Sequence, residues 1–168
     1  MSDFILVLNC GSSSIKFALF DASAVPLPRK AAWSGKVDGI GGANTQFTEA
    51  GATAEAIVLG DAQPYHAALE HIRERVRLRL GGARLEAVAH RVVHGGAKYF
   101  SPIRIDASVL ADLGSYIPLA PLHQPFALEA IAALLQSRPD LPQIACFDTA
   151  FHHTMPDVEK LLPLSFDA

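Results

Sequence analysis

Residues 4–20 read FILVLNCGSSSIKFALF. The run Phe4 to Leu8 is wholly apolar, as a buried strand requires. Asn9 to Ser14 is small and polar and forms a tight turn. Ile15 to Phe20 begins by alternating apolar and polar residues, the period of a strand. Together they predict a β-hairpin with a small-residue loop. Working outward, residues 30–37 (KAAWSGKV) predict a third strand. Residues 38–54, rich in small residues around GIGGANTQ, predict a loop or an irregular hairpin. AIVLG at 56–60 predicts a short strand or a turn.

Residues 64–80 (PYHAALEHIRERVRLRL) carry the clearest helical period. Ala68, Leu69, Ile72, Val76 and Leu80 recur on one face, with Arg and Glu between them. Pro64 suits the first turn and Gly81-Gly82 the end. Residues 86–93 (EAVAHRVV) predict a strand, and 106–114 and 126–136 predict helices, the second opened by Pro125. QIACF at 143–147 predicts another strand, stopped by Asp148. Strands, then helix, strand, helices and strand make one α/β domain with a mixed sheet. No internal repeat or linker divides it.

The chain has 168 residues, 14 Lys plus Arg against 17 Asp plus Glu, and a net charge of −3. Half of it is hydrophobic, which excludes a disordered chain. The mild negative charge argues against a nucleic-acid partner. The apolar runs fall far short of the roughly 20 residues of a membrane helix. The N-terminus lacks a basic region and a signal-length apolar segment. Cys10 and Cys146 form no CxxC pair and read as reduced thiols. The expectation is a soluble, cytoplasmic protein.

Four segments carry candidate chemistry. NCGSSSIK, Asn9 to Lys16, combines a glycine, three serines and a lysine, which is what a phosphate needs. It is no Walker A loop, because GxxxxGK[ST] is absent; a serine-rich turn has the same letters. HRVVHGG, His90 to Gly96, reads as a strand, so the two histidines lie roughly 13 Å apart and cannot share one ion. Arg91 faces away from His90 and offers a planar fork to a phosphate or carboxylate. In LAPLHQP, Leu119 to Pro125, two prolines hold His123 in a rigid loop; a structural histidine is the plainer alternative. In FDTAFHHTMP, Phe147 to Pro156, Asp148 follows a strand at its carboxyl end, where α/β sheets gather ligands. It suits Mg²⁺ or a turn cap at Thr149. Loop, Arg, His and Asp together make a phosphoryl-transfer set, whose work is positioning and charge stabilisation.

These four strings, in this order and spacing, resemble the N-terminal half of the acetokinase family of short-chain acyl kinases. The resemblance covers essentially the whole chain. Gln124 stands where the family has Asn, and Ala97 where it has Glu. The resemblance implies one of two lobes of an actin-like ATPase (ribonuclease H-like) fold, its mixed sheet flanked by helices. It implies the reaction of ATP and acetate to ADP and acetyl phosphate, with Mg²⁺. It places Asn9, Ser12, Ser14 and Lys16 on the phosphate side of a cleft. Arg91 would orient acetate and steady the transferring phosphoryl, and His123 would donate a hydrogen bond to it. Asp148, with Asn9, would serve the metal. Val93 and Leu122 would line a pocket for the acetate methyl.

Family members are more than twice as long as residues 1–168. The nucleotide-binding C-terminal half would bring the adenosine pocket, a second Arg, a Glu for Mg²⁺ and most of a homodimer interface. The expectation is a truncated half with little activity alone. Propionate or butyrate kinase is the near alternative. A non-catalytic lobe binding phosphate or a partner is the alternative of another class. A metal hydrolase built on the seven histidines lacks ligand spacing.

Overall fold

The computed structural model describes residues 3–60 and 62–160. The hairpin over 4–20 is present as β1 (Asp3–Cys10) and β2 (Ser14–Asp21), paired antiparallel with Leu8 opposite Phe17 and Asn9 opposite Lys16. β3 (Trp33–Asp38) and β4 (Gln46–Glu49) extend the antiparallel wing, so residues 38–54 take the irregular-hairpin form. Only Glu55–Ala56 (β5) pairs at the end of that wing; residues 57–60 form no strand.

α1 spans Pro64–Leu80, the limits its period predicts. Proline occupies the first turn, and Gly81 closes the helix in the left-handed conformation at φ 55°. A residue without Cβ adopts that conformation without steric cost. Tyr65, Ala68, Ile72 and Val76 are buried, while Leu69 and Leu80 are half-buried at the margin.

β6 (Arg84–Val92) lies parallel to β1, and β8 (Gln143–Phe147) lies parallel to β6. Between them in sequence run β7 (Ile103–Arg104), α2 (Ala107–Ser115) and α3 (Gln124–Ser137). Asp106 caps α2 by accepting from the Val109 amide at 2.8 Å. α3 begins two residues before the predicted start, because Pro125 fits inside its first turn. β7, only two residues long, was not legible; it pairs antiparallel on the outer edge of β8. The sheet order is β5-β4-β3-β2-β1-β6-β8-β7. A single turn of helix, α4 (Asp157–Lys160), ends the described chain.

One face of the sheet is covered. Leu6, Leu8, Ile15, Phe17, Phe47 and Val88 pack with α1. Val92, Ala145 and Phe147 pack with α2 and α3. Each large apolar side chain so buried is worth about 1.5–3 kcal/mol. The alternate residues Ile5, Val7, Ala18, Phe20, Ala87, Ala89 and Ile144 point to the other face and are half-exposed. Among the described residues no helix is long and apolar enough to cross a membrane.

Candidate active site

The parallel strands β1, β6 and β8 deliver their last residues to one edge. Asn9 is the penultimate residue of β1, Arg91 that of β6, and Asp148 follows β8 directly. Arg91 and His90 do face opposite ways: His90 is buried and Arg91 exposed. The Arg91 guanidinium grips Asp148 with Nε at 2.9 and 3.0 Å from the two carboxylate oxygens and Nη2 at 2.6 Å. Its Nη1 donates to Asn9 Oδ1 at 3.2 Å. The Asp148 carboxylate holds the Arg91 pKa above its ordinary value. Both partners of this pair are over a third exposed, so it contributes little to stability. Arg91 and both its partners line a pocket of about 230 Å³.

Asn9, Arg91, Val93, His123 and Asp148 all line that pocket. Four segments far apart in sequence thus meet at one pocket. His123 is the N-cap residue of α3, yet its side chain makes no cap hydrogen bond. The ring is left to face the pocket. The N-terminus of α3, whose Ala127 also lines the wall, brings the positive end of a helix dipole to the same place. The site therefore presents a guanidinium, an imidazole and a helix N-terminus to an anion.

The remaining predicted residues stand elsewhere. Leu122 is 74% exposed and is not part of the pocket wall. Ser12, Ser14 and Lys16 lie beside the pocket, on the adjoining turn and strand. Ser12 and Lys16 are exposed, and Ser14 closes the turn by accepting from the Gly11 amide at 2.8 Å. Lys16 shares a sheet face with Asn9 through their pairing.

Other wall and support residues were not singled out from sequence. Cys10 and Gly11 form part of the wall. Burial pushes the Cys10 thiol up to about 11, so it is a neutral surface at pH 7 and not a nucleophile. Thr149 Oγ1 accepts from the Gly95 amide at 3.2 Å, tying the loop after β6 to the loop after β8. Gly95 and Gly96 have packing reasons. A Cβ on Gly95 would strike the Tyr99 carbonyl, and one on Gly96, at φ 62°, would enter the Tyr116 ring. The doubled glycine of HRVVHGG was a signal for such a tight path.

Among the described residues no three His, Cys, Asp or Glu side chains cluster as a metal cage. Asp148 and Asn9 nevertheless place one carboxylate and one amide oxygen side by side on Arg91. That donor set fits a magnesium ion, which takes one or two carboxylates, keeps waters and draws its other ligands from phosphate.

A family model described as the Acetokinase family matches residues 4–168. Acetate kinase of Rhodopseudomonas palustris is 42% identical over 167 residues, covering 98% of this chain and 42% of that protein. A crystal structure of a propionate kinase from Francisella tularensis matches with a TM-score of 0.77 at 34% identity, covering 98% of this chain and 42% of the other. That of Porphyromonas gingivalis acetate kinase matches with a TM-score of 0.77 at 31% identity and the same coverage. The chain thus spans about 42% of the length of these relatives. The fold is the mixed-sheet actin-like lobe that the four strings implied.

Proposed function

The chain belongs to the acetokinase family, and on that premise we propose that it carries the acyl and phosphoryl side of an acetate kinase site. The reaction is ATP and acetate to ADP and acetyl phosphate. One observation carries the reading: Arg91, Asp148 and Asn9 converge at the carboxyl end of the parallel strands, on a pocket also walled by Val93 and His123.

An acetate oxygen attacks the γ-phosphorus, and the new O–P bond forms as the bond to the bridging oxygen of ADP breaks. ADP leaves with that electron pair. Arg91 presents N–H groups that can hold the carboxylate and follow charge onto the phosphoryl oxygens. His123, unused by its helix, donates a hydrogen bond to the same oxygens. Val93 offers an apolar wall to the methyl, which limits acyl length weakly, at about 1–3 kcal/mol per methylene. Ser12, Ser14 and Lys16, next to Asn9, receive the phosphate chain. Asp148 and Asn9 would hold Mg²⁺, which neutralises phosphate charge. Leu122 joins the methyl pocket only if its loop turns inward around acyl ligand.

The adenosine pocket, a second cationic residue and a homodimer interface belong in this reading to the part of the relatives outside these 168 residues. Cytoplasmic residence is part of the same reading. A propionate acceptor is the second reading, favoured by the Francisella likeness. The ratio of kcat/KM for propionate and acetate in the complete enzyme separates the two.

The test is acyl-phosphate formation from ATP, Mg²⁺ and acetate, trapped as the hydroxamate, with Arg91→Ala purified identically. No activity above that control from this chain, and turnover on adding the downstream half, is the expected result. Turnover by this chain alone would overturn the need for a second half. None from the complete enzyme would overturn the acetate kinase reading.

A further inference from the structure

Gln124 is fully buried, at 0% exposure. A buried primary amide must find partners for one acceptor and two donor hydrogens. It finds them mainly on one residue. Gln124 Oε1 accepts from the His94 amide at 3.2 Å, and its Nε2 donates to the His94 carbonyl at 3.0 Å and more weakly to that of Leu113 at 3.4 Å. Two carbonyls on the Nε2 side and one N–H on the other fix which way the amide points. β6 ends at Val92, so His94 has already left the ladder. The side-chain amide gives it the paired donor and acceptor that a neighbouring strand would have given.

The place of this clamp matters. Gln124 directly follows His123, and His94 directly follows Val93. The clamp therefore joins two parts of the pocket wall, one following β6 and one at the start of α3. The other side of the His94 turn is closed by its own ring, whose Nδ1 accepts from the Gly96 amide at 2.8 Å. Gly95 is held in turn by Thr149 beside Asp148.

We propose that Gln124 is a positioning residue: its buried amide grips both backbone groups of His94 and so sets the spacing of Val93 and Arg91 from His123. The ligand consequence rests on the acetate kinase reading above. A side chain that merely fills space would be replaced by leucine without changing the pocket. A positioning amide would not, because misplacing a binding group by an ångström is enough to weaken its work.

The experiment uses this chain, with Gln124→Leu and Gln124→Asn, at a temperature where each is folded by circular dichroism. Acetyl phosphate is the probe, titrated while the Val93 methyl and Arg91 Nε–H resonances are followed. Exchange of the His94 amide is read in parallel. The expected result is a slow His94 amide in the parent and one at least about tenfold faster in Gln124→Leu. Affinity should fall about tenfold or more in Gln124→Leu and less in Gln124→Asn, whose amide is one methylene short. Gln124→Leu binding as the parent does, or keeping a protected His94 amide, would overturn the proposal. Should Gln124→Leu not fold, Gln124→Asn decides: parental affinity with an unprotected His94 amide sinks it. Should the parent bind no acetyl phosphate, the acyl-site reading fails for this chain. Unmoved Val93 and Arg91 resonances in the variants would then sink the positioning role separately.

Discussion

β6 carries an arginine near each end, and the two have different fates. Arg84 pairs with Asp3 at the amino end of the parallel strands, with both contacts at 3.4 Å, and with Glu86 on its own strand. Arg91 pairs with Asp148 and Asn9 at the carboxyl end, with contacts down to 2.6 Å. Both are exposed, and both have pKa values raised by the acidic residue they face. Residue type, strand and charge partner do not distinguish them. What differs is the surroundings: Arg91 shares a pocket wall with loop residues and the start of α3, whereas the Arg84 side chain is 70% exposed. The comparison teaches that in this sheet the chain direction chooses which charged end of a strand gains a pocket.

Four changes break or sharpen that contrast. The largest effect is expected from Arg91→Ala, which should lower acetyl-phosphate formation by the complete enzyme by about 10²–10³-fold, measured as kcat. Next is acid stability, which rests on the residue just before Arg91 on the same strand. His90 is buried, accepts no solvent, and meets Gln143 Oε1 at 2.8 Å through Nε2. Burial lowers its pKa from 6.5 to about 4. The unfolded chain gains a proton near pH 6.5, the folded one only near 4. The contribution is thus fully present above pH 6.5 and falls as pH drops through that window, by about 1.4 kcal/mol per unit. Tm measured from pH 7 to 4.5 should fall in the parent and fall less in His90→Gln; equal slopes would refute this assignment.

A smaller effect, of opposite sign, is expected at Asp148. The carboxylate occupies the fork that an anion needs. Asp148→Asn should therefore bind acetyl phosphate a few-fold tighter in the absence of magnesium, read by calorimetry, while losing the magnesium-dependent gain. Weaker binding without metal would show that Asp148 orients Arg91 more than it competes for it. The smallest effect belongs to Arg84→Ala. It should change neither Tm nor affinity resolvably, since its side chain is 70% exposed and its pairs are solvated. A loss comparable to that of Arg91→Ala would erase the distinction between the two ends.

Much of this was legible in the letters. The apolar run Phe4–Leu8, the polar turn and the alternation after it demand a hairpin. The 3.6 period from Tyr65 to Leu80, bounded by Pro64 and Gly81, sets α1 at both ends. Arg91, His123 and Asp148 could be nominated because each sits beside a local oddity: a double glycine, two prolines, a carboxylate closing an apolar strand. β7 was illegible because two residues carry no period. Leu122 was nominated by its place next to His123, but adjacency in a loop does not say which way a side chain turns, and it is exposed. Gln124 was visible as an amide beside a histidine, standing where the family has Asn, but nothing local named His94 as its partner.

The sequence by itself determined the elements, their order and the residue types available for chemistry, because period, capping and turn preference are local properties. Its reading of HRVVHGG as a strand holds only to Val92; His94 lies beyond the strand end, where its ring accepts from the Gly96 amide. Only the tertiary structure decided which groups meet. Parallel pairing of β1, β6 and β8 brings Asn9, Arg91 and Asp148 to one edge, and the return of α3 over the sheet brings His123 to the same pocket as Val93. Those meetings join residues far apart along the chain, and strand register and helix packing set them rather than any local pattern.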